Sequence, residues 1–139
     1  MTAKHNLATH LNHLHNFIKD LKKYQKMVTR KTFLDDKMMQ KVIERTLQQT
    51  LEVVITIGEM VISEFGFKKP DKNRDIFKVL AQEKIYSQKL AEDLAEFAEF
   101  RNILVHDYVK LDLNKVYDNL IKGIPIFKQY IRYIAKYLK

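Results

Sequence analysis

No cysteine occurs in the 139 residues. That excludes disulfides, a thiolate nucleophile and any Cys-based zinc site, and it fits a reducing compartment. Three glycines and two prolines are too few for the tight turns of an all-β fold or for long disordered stretches. No apolar run approaches the roughly 20 residues of a membrane span; the longest, residues 53–62, is broken by Thr56, Gly58 and Glu59. The first residues, 1–15, are polar and rich in histidine, without the apolar centre of a signal peptide. The expected location is therefore the cytoplasm, with no membrane partner.

What is present is a core and an uneven charge. The length suits one domain over residues 1–139, and 46% hydrophobic residues can build a substantial interior. The net charge of +8 is not spread evenly. Residues 1–45 carry ten Lys/Arg against four Asp/Glu, residues 46–108 eight against eleven, and residues 109–139 seven against two. Basic ends around an acidic middle favour polyanionic partners, although a solvated lysine face accounts for the same charge.

Apolar residues recur with a period near 3.6 almost throughout. Residues 7–28 read as a helix on Leu7, Leu11, Leu14, Phe17, Ile18, Leu21 and Met27. A second helix begins at Asp35 or Asp36, either a suitable N-cap, and runs to Phe65. Its stripe passes through Gly58, which would let another helix approach closely. Gly66 and Pro70 end it. A short helix spans residues 73–82, with Ile76, Phe77 and Leu80 inward. Ser87 caps a fourth helix over residues 88–106. Asp112 caps a fifth, whose stripe of Leu113, Tyr117, Leu120, Ile124, Phe127, Ile131, Ile134 and Leu138 contains Pro125, expected to kink it. The expectation is an all-α antiparallel bundle of about five helices.

The fourth helix ends unusually. One seam runs Leu90, Leu94, Phe97, Arg101, Leu104, Tyr108; the adjacent one runs Ala91, Ala95, Ala98, Asn102, Val105. Both turn polar at the same level, and the alanines would allow close contact within the bundle or across a dimer. Asn102 and His106, four apart, share a face. Arg101 and His106 lie about 140° apart on an ideal helix, from five steps of about 100°. Convergence therefore needs a distorted last turn or a second copy. Arg with His, and no Ser or Cys nucleophile beside them, suits phosphodiester chemistry in RNA, with the substrate's own 2′-hydroxyl attacking. Histidine, with an ordinary pKa of about 6.5, serves as general base or acid. Arginine grips phosphate with paired donors and stabilises transition-state charge. Asn102 and Tyr108 would support the site. No spacing for a metal site stands out. On spacing alone, a structural pair of Arg101 with Glu99 or Asp107 explains the cluster equally well.

The segment Phe100-Arg101-Asn102-Ile103-Leu104-Val105-His106-Asp107-Tyr108 resembles the signature of the HepT-like branch of the HEPN superfamily. Glu44-Arg45 with Leu47-Gln48-Gln49, and Val116-Tyr117, extend the resemblance over most of the chain. The resemblance implies an all-α homodimer with two motifs around a shared cleft. It implies a metal-independent ribonuclease toxin, an endoribonuclease of a type II/VII-like toxin–antitoxin pair, that needs no cofactor of its own. The partner would be an MntA-type nucleotidyltransferase antitoxin that uses ATP and magnesium to attach AMP to the motif tyrosine. By position, Arg101 and His106 become catalytic, Asn102 supporting, and Tyr108 both a supporting residue and the site of AMP attachment. AMP there would add bulk and negative charge at a cleft built for phosphate.

Two other readings compete. The chain could be a non-catalytic nucleotide- or substrate-binding subunit of a nucleotidyltransferase, or a structural dimer without chemistry. Acidic Glu92, Asp93, Glu96 and Glu99 would weaken RNA approach if they faced the cleft. His5, His10, His13 and His15 read as a solvated face rather than a metal site. The run Lys19, Lys22, Lys23, Lys26, Arg30 and Lys31 reads slightly better as an exposed face than as an RNA guide. Tyr130, Tyr133 and Tyr137 read better as packing or a dimer surface than as base-stacking platforms.

Overall fold

The computed structural model describes residues 3–106, 109 and 111–138. Among these there are six α-helices and no strand: α1 (Ala3–Met27), α2 (Arg30–Asp35), α3 (Lys37–Phe65), α4 (Asn73–Gln82), α5 (Gln88–His106) and α6 (Leu113–Ala135), followed by a 3-10 turn at Lys136–Leu138. The central element is α3, about 43 Å long at 1.5 Å per residue, which packs against α1, α4, α5 and α6.

Three of the long helices start at a local cap, and α3 also stops at one. Asp36 accepts from the Met39 N–H at 3.0 Å and Asp112 from the Asn114 N–H at 2.9 Å. The Ser87 hydroxyl caps the Leu90 N–H at 3.2 Å. Gly66, at φ 69°, closes α3 in the left-handed region, and the Phe67 N–H returns to the Ile62 carbonyl at 3.0 Å. This is the hydrogen-bonded stop that glycine permits without a Cβ penalty.

The extra element is α2, which the apolar period does not reveal. Its start is a capping box made by two threonines: the Thr29 side chain accepts from the Thr32 N–H while Thr32 accepts from the Thr29 N–H. The usual signature has Glu or Gln at the second position. Phe33, fully buried, anchors this short helix beside the Tyr117 ring, 5.7 Å away.

The core follows the expected stripes with two departures. Leu7, Leu11, Leu14, Ile18 and Leu21 are buried along α1, whereas Met27 is 59% exposed. A second stripe on α6, through Val116, Gly123 and Tyr130, is buried beside the expected one. Tyr130 is fully enclosed and donates its hydroxyl to the Val54 carbonyl at 3.0 Å. Tyr86, also buried, donates to the Phe77 carbonyl at 3.1 Å. Burial pushes both phenols upward, so they stay neutral donors. Packing, not base stacking, accounts for Tyr130.

Gly58 does what its place on the stripe predicts. A Cβ there would lie 2.6 Å from Ile76 Cγ2 and 3.3 Å from the Tyr130 hydroxyl. The missing side chain is what lets α4 and α6 close on α3. Pro125 leaves α6 unbroken from Leu113 to Ala135. It sits on the exposed face with Ile121, where water can replace the missing donor.

Candidate functional site

The polar cluster sits where α5 leaves the bundle. Arg101 lies on the stripe of Leu94, Phe97 and Leu104, all buried, and its own side chain is 24% exposed. Among the described residues its carboxylate partner is not Glu99, one of the two expected from spacing. Glu99 is engaged by Arg74 of α4 at 2.6 Å; Asp107 lies outside the described residues. Arg101 instead faces α3, where its Nη2 stands 3.8 Å from Glu52 Oε1.

That pairing is loose. Arg101 Nη1 makes one further bond, to Asn102 Oδ1 at 3.3 Å. Its Nε is buried without a hydrogen-bond partner among the described residues. Glu52 is shared, since Gln48 Nε2 also donates to Glu52 Oε1, at 3.1 Å. A guanidinium with donors to spare, held against a low-polarity stripe, can accept an oxyanion through its exposed nitrogens.

If the ion pair were chiefly a stabilising device, removing its acid would cost several kcal/mol. A partly exposed pair at this separation contributes about 0–1 kcal/mol. Glu52→Gln is therefore expected to lower unfolding stability by less than about 1 kcal/mol, measured by urea denaturation. A loss of several kcal/mol would make Arg101 an element of the core rather than of a site.

Asn102 departs from its expected burial. It is exposed and lines a surface hollow with Lys72, Asn73, Arg74, Ala98 and Glu99. The reason is length: α4 spans only Asn73–Gln82, so its cover over the α5 seam ends beside Asn102. The alanine seam itself is closed within this chain, with Ala91 at 0%, Ala95 at 8% and Ala98 at 3% exposure. It is thus not available to a second copy, and a dimer contact must use another face.

His106 is the last residue of α5 and is exposed. Among the described residues α5 stays helical through His106, so no break in the helix brings it toward Arg101. Arg101 and His106 stay about 140° and about 7.5 Å apart along the axis by helix geometry. On such a helix the two side chains leave the backbone in different directions. Tyr108 lies outside the described residues.

Three of the four acids on α5 are paired away from Arg101. Glu96 pairs with Lys122 of α6 at 3.6 Å, Glu99 with Arg74, and Asp93 with Lys89 at 3.1 Å, which holds the Lys89 ammonium above its usual range. Arg30 is likewise taken up structurally. It bonds Asn114 Oδ1 at 3.0 Å, pairs with Asp118 and lies 4.7 Å over the Tyr117 ring. His10 turns back to the Asn6 carbonyl at 2.8 Å, and its ring lies tilted beside that of His13, 6.0 Å between centroids. Among the described residues no group of three His, Cys, Asp or Glu side chains is placed to hold a metal, and no helix is long and apolar enough to cross a membrane.

Against this geometry, comparison with known proteins is specific. Residues 14–134 match the family model described as ribonuclease HepT-like. The chain is 27% identical over 132 residues to the tRNA nuclease HepT of Aphanizomenon flos-aquae, covering 95% of this chain and 89% of that protein. It is 31% identical over 99 residues to the mRNA nuclease HepT of Shewanella oneidensis, covering 71% and 74%. Among solved structures, the tri-AMPylated Shewanella oneidensis HEPN toxin in complex with MNT antitoxin is similar with a TM-score of 0.86 at 26% identity, over 98% of this chain and 99% of that one.

Proposed function

The chain belongs to the HepT-like ribonuclease family, and from that premise we propose that it is a metal-independent endoribonuclease toxin, cytoplasmic and homodimeric, silenced by AMP transfer to Tyr108. The observation that carries the catalytic reading is the under-bonded Arg101 guanidinium in α5, one helical turn and a little more before the exposed His106. His106 takes the proton from the ribose 2′-hydroxyl, the 2′-oxygen bonds to phosphorus, and the bond to the 5′-oxygen breaks. The 5′-oxygen leaves with a proton from a second acid. In a two-copy cleft that acid is the other copy's imidazole. Arg101 binds the non-bridging oxygens and stabilises their growing charge. Asn102 holds Arg101 through its Oδ1.

The helix geometry supports the homodimer, because Arg101 and His106 of one chain diverge. Partnership with an MntA-type nucleotidyltransferase is supported by the relative whose structure holds an AMPylated toxin and an MNT antitoxin together. That partner would use the ATP and magnesium; this chain would need neither.

Incubating the chain with the cognate nucleotidyltransferase, ATP and magnesium is expected to add one or more AMP masses at Tyr108 and to stop RNA cleavage. Tyr108→Phe should stay unmodified and escape silencing. Peptide mass spectrometry and a gel-based cleavage assay read the two effects. Equal modification of the phenylalanine variant would refute Tyr108 as the acceptor.

The non-catalytic nucleotide-binding reading predicts nucleotide affinity without RNA cleavage. The loosely held guanidinium is compatible with it, and cleavage by the purified chain decides against it.

A further inference from the structure

Resting on the ribonuclease reading, we infer that the first turns of α3 form the RNA-holding wall of the site: Lys37, Lys41 and Arg45 grip successive backbone phosphates and lead the strand to Arg101.

The three residues recur at i, i+4 and i+8, so they stack on one face about 6 Å apart along the helix. All three are exposed, and none takes part in an ion pair among the described residues. That sets them apart from Arg30, Arg74, Lys89 and Lys122, each paired to a carboxylate. They line a groove with Gln40, Glu44, Gln48, Leu104 and Leu111. Leu104 belongs to the Arg101 stripe of α5, and Leu111 follows the motif in sequence. The groove therefore opens beside the cluster. Its Gln48 reaches Glu52, which faces Arg101, so α3 supplies a continuous edge from Lys37 to the guanidinium.

Charge elsewhere makes this the side from which a polyanion can enter. The groove between α5 and α6 is lined by Glu96, Glu99 and Asp118 as well as Lys115 and Lys122, which gives it no cationic excess. The α3 groove has one acid, Glu44, whose carboxyl is pushed up by burial against the opposing pull of Lys41. A protein partner fits this groove less well. Interface cores are enriched in aromatics and depleted in lysine, and this groove has no aromatic lining residue.

The test is direct binding of a fluorescein-labelled single-stranded RNA by anisotropy, over a salt series, with full-length chain carrying His106→Ala to prevent cleavage. Each phosphate contact on a single strand contributes about 0.7 to the slope of log affinity against log salt. Adding Lys37→Ala, Lys41→Ala and Arg45→Ala should reduce that slope by about 2 and weaken binding at least about tenfold. Lys37→Arg, Lys41→Arg and Arg45→Lys should restore both. Melting curves and capture of the cognate nucleotidyltransferase should be unchanged by the alanines.

If the His106→Ala parent binds RNA and the triple alanine variant binds it with the same slope, the wall is wrong and the ribonuclease reading survives. Loss of nucleotidyltransferase capture with RNA binding intact also overturns it and assigns the groove to the protein partner. A parent chain that neither binds nor, as wild type, cleaves RNA removes both readings together.

Discussion

Arg101→Ala and His106→Ala are each expected to reduce RNA cleavage by about 10²–10⁴-fold while leaving the fold intact. On the proposed roles, the first loss would follow from removing donors that stabilise phosphoryl charge, the second from removing the proton carrier. Neither loss is expected to unfold the chain: His106 is exposed, and the Arg101 pairing with Glu52 is a 3.8 Å contact at a partly exposed site. Arg101→Lys should recover little, because an ammonium keeps the charge but loses the planar pair of donors. Wild-type cleavage should persist in EDTA. Initial rates on a labelled RNA, with circular dichroism melts as the folding control, are sufficient. Wild-type rates in both alanine variants would end the catalytic assignment, and cleavage abolished by EDTA would end the metal-independent one.

Phe127→Ala removes about 3–5 kcal/mol of unfolding free energy, a large share of the roughly 5–15 kcal/mol available to a domain of this kind. The ring is fully buried, and its centroid is 5.0 Å from that of Phe97 on α5. It lies over Gly123, where a Cβ would come within 2.7 Å of Phe127 Cε2. The surrounding helix is thus shaped to the ring, and truncation leaves a cavity that the backbone cannot readily fill. The melting midpoint should fall on the order of 10 °C. Urea titrations with an unchanged slope would give the free energy, and a loss under about 1 kcal/mol would contradict the packing described.

Much of this architecture is written locally. Asp36, Ser87, Asp112 and Gly66 each mark a helix end because capping is satisfied by a few adjacent residues, so the sequence shows it directly. Gly58 is equally legible, since a gap on a regular apolar stripe has a single geometric use. What escapes is what depends on neighbours distant in the chain. Glu52 emerges as the acid facing Arg101 only when α3 lies beside α5, and the acids adjacent in sequence, Glu99 above all, are already engaged. Asn102 shares the periodicity of the buried alanines, but α4 stops short of it. The second α6 stripe through Val116 and Tyr130 is hidden because tyrosine spacing leaves packing and a dimer surface equally open until Val54 offers its carbonyl. The helix α2 is missed for a narrower reason, a threonine where the capping signature has a longer acid or amide.

The regularity of α5 through His106 has a kinetic consequence. With Arg101 and His106 leaving α5 about 140° apart, the proposed cleft would exist only where two copies meet. Cleavage below the dimer dissociation constant then rises with the square of the chain concentration, not in proportion to it. A small surplus of this protein over its partner would do little, and a tenfold larger surplus would do about a hundredfold more, so the bundle's straight helix would set a threshold between tolerance and harm.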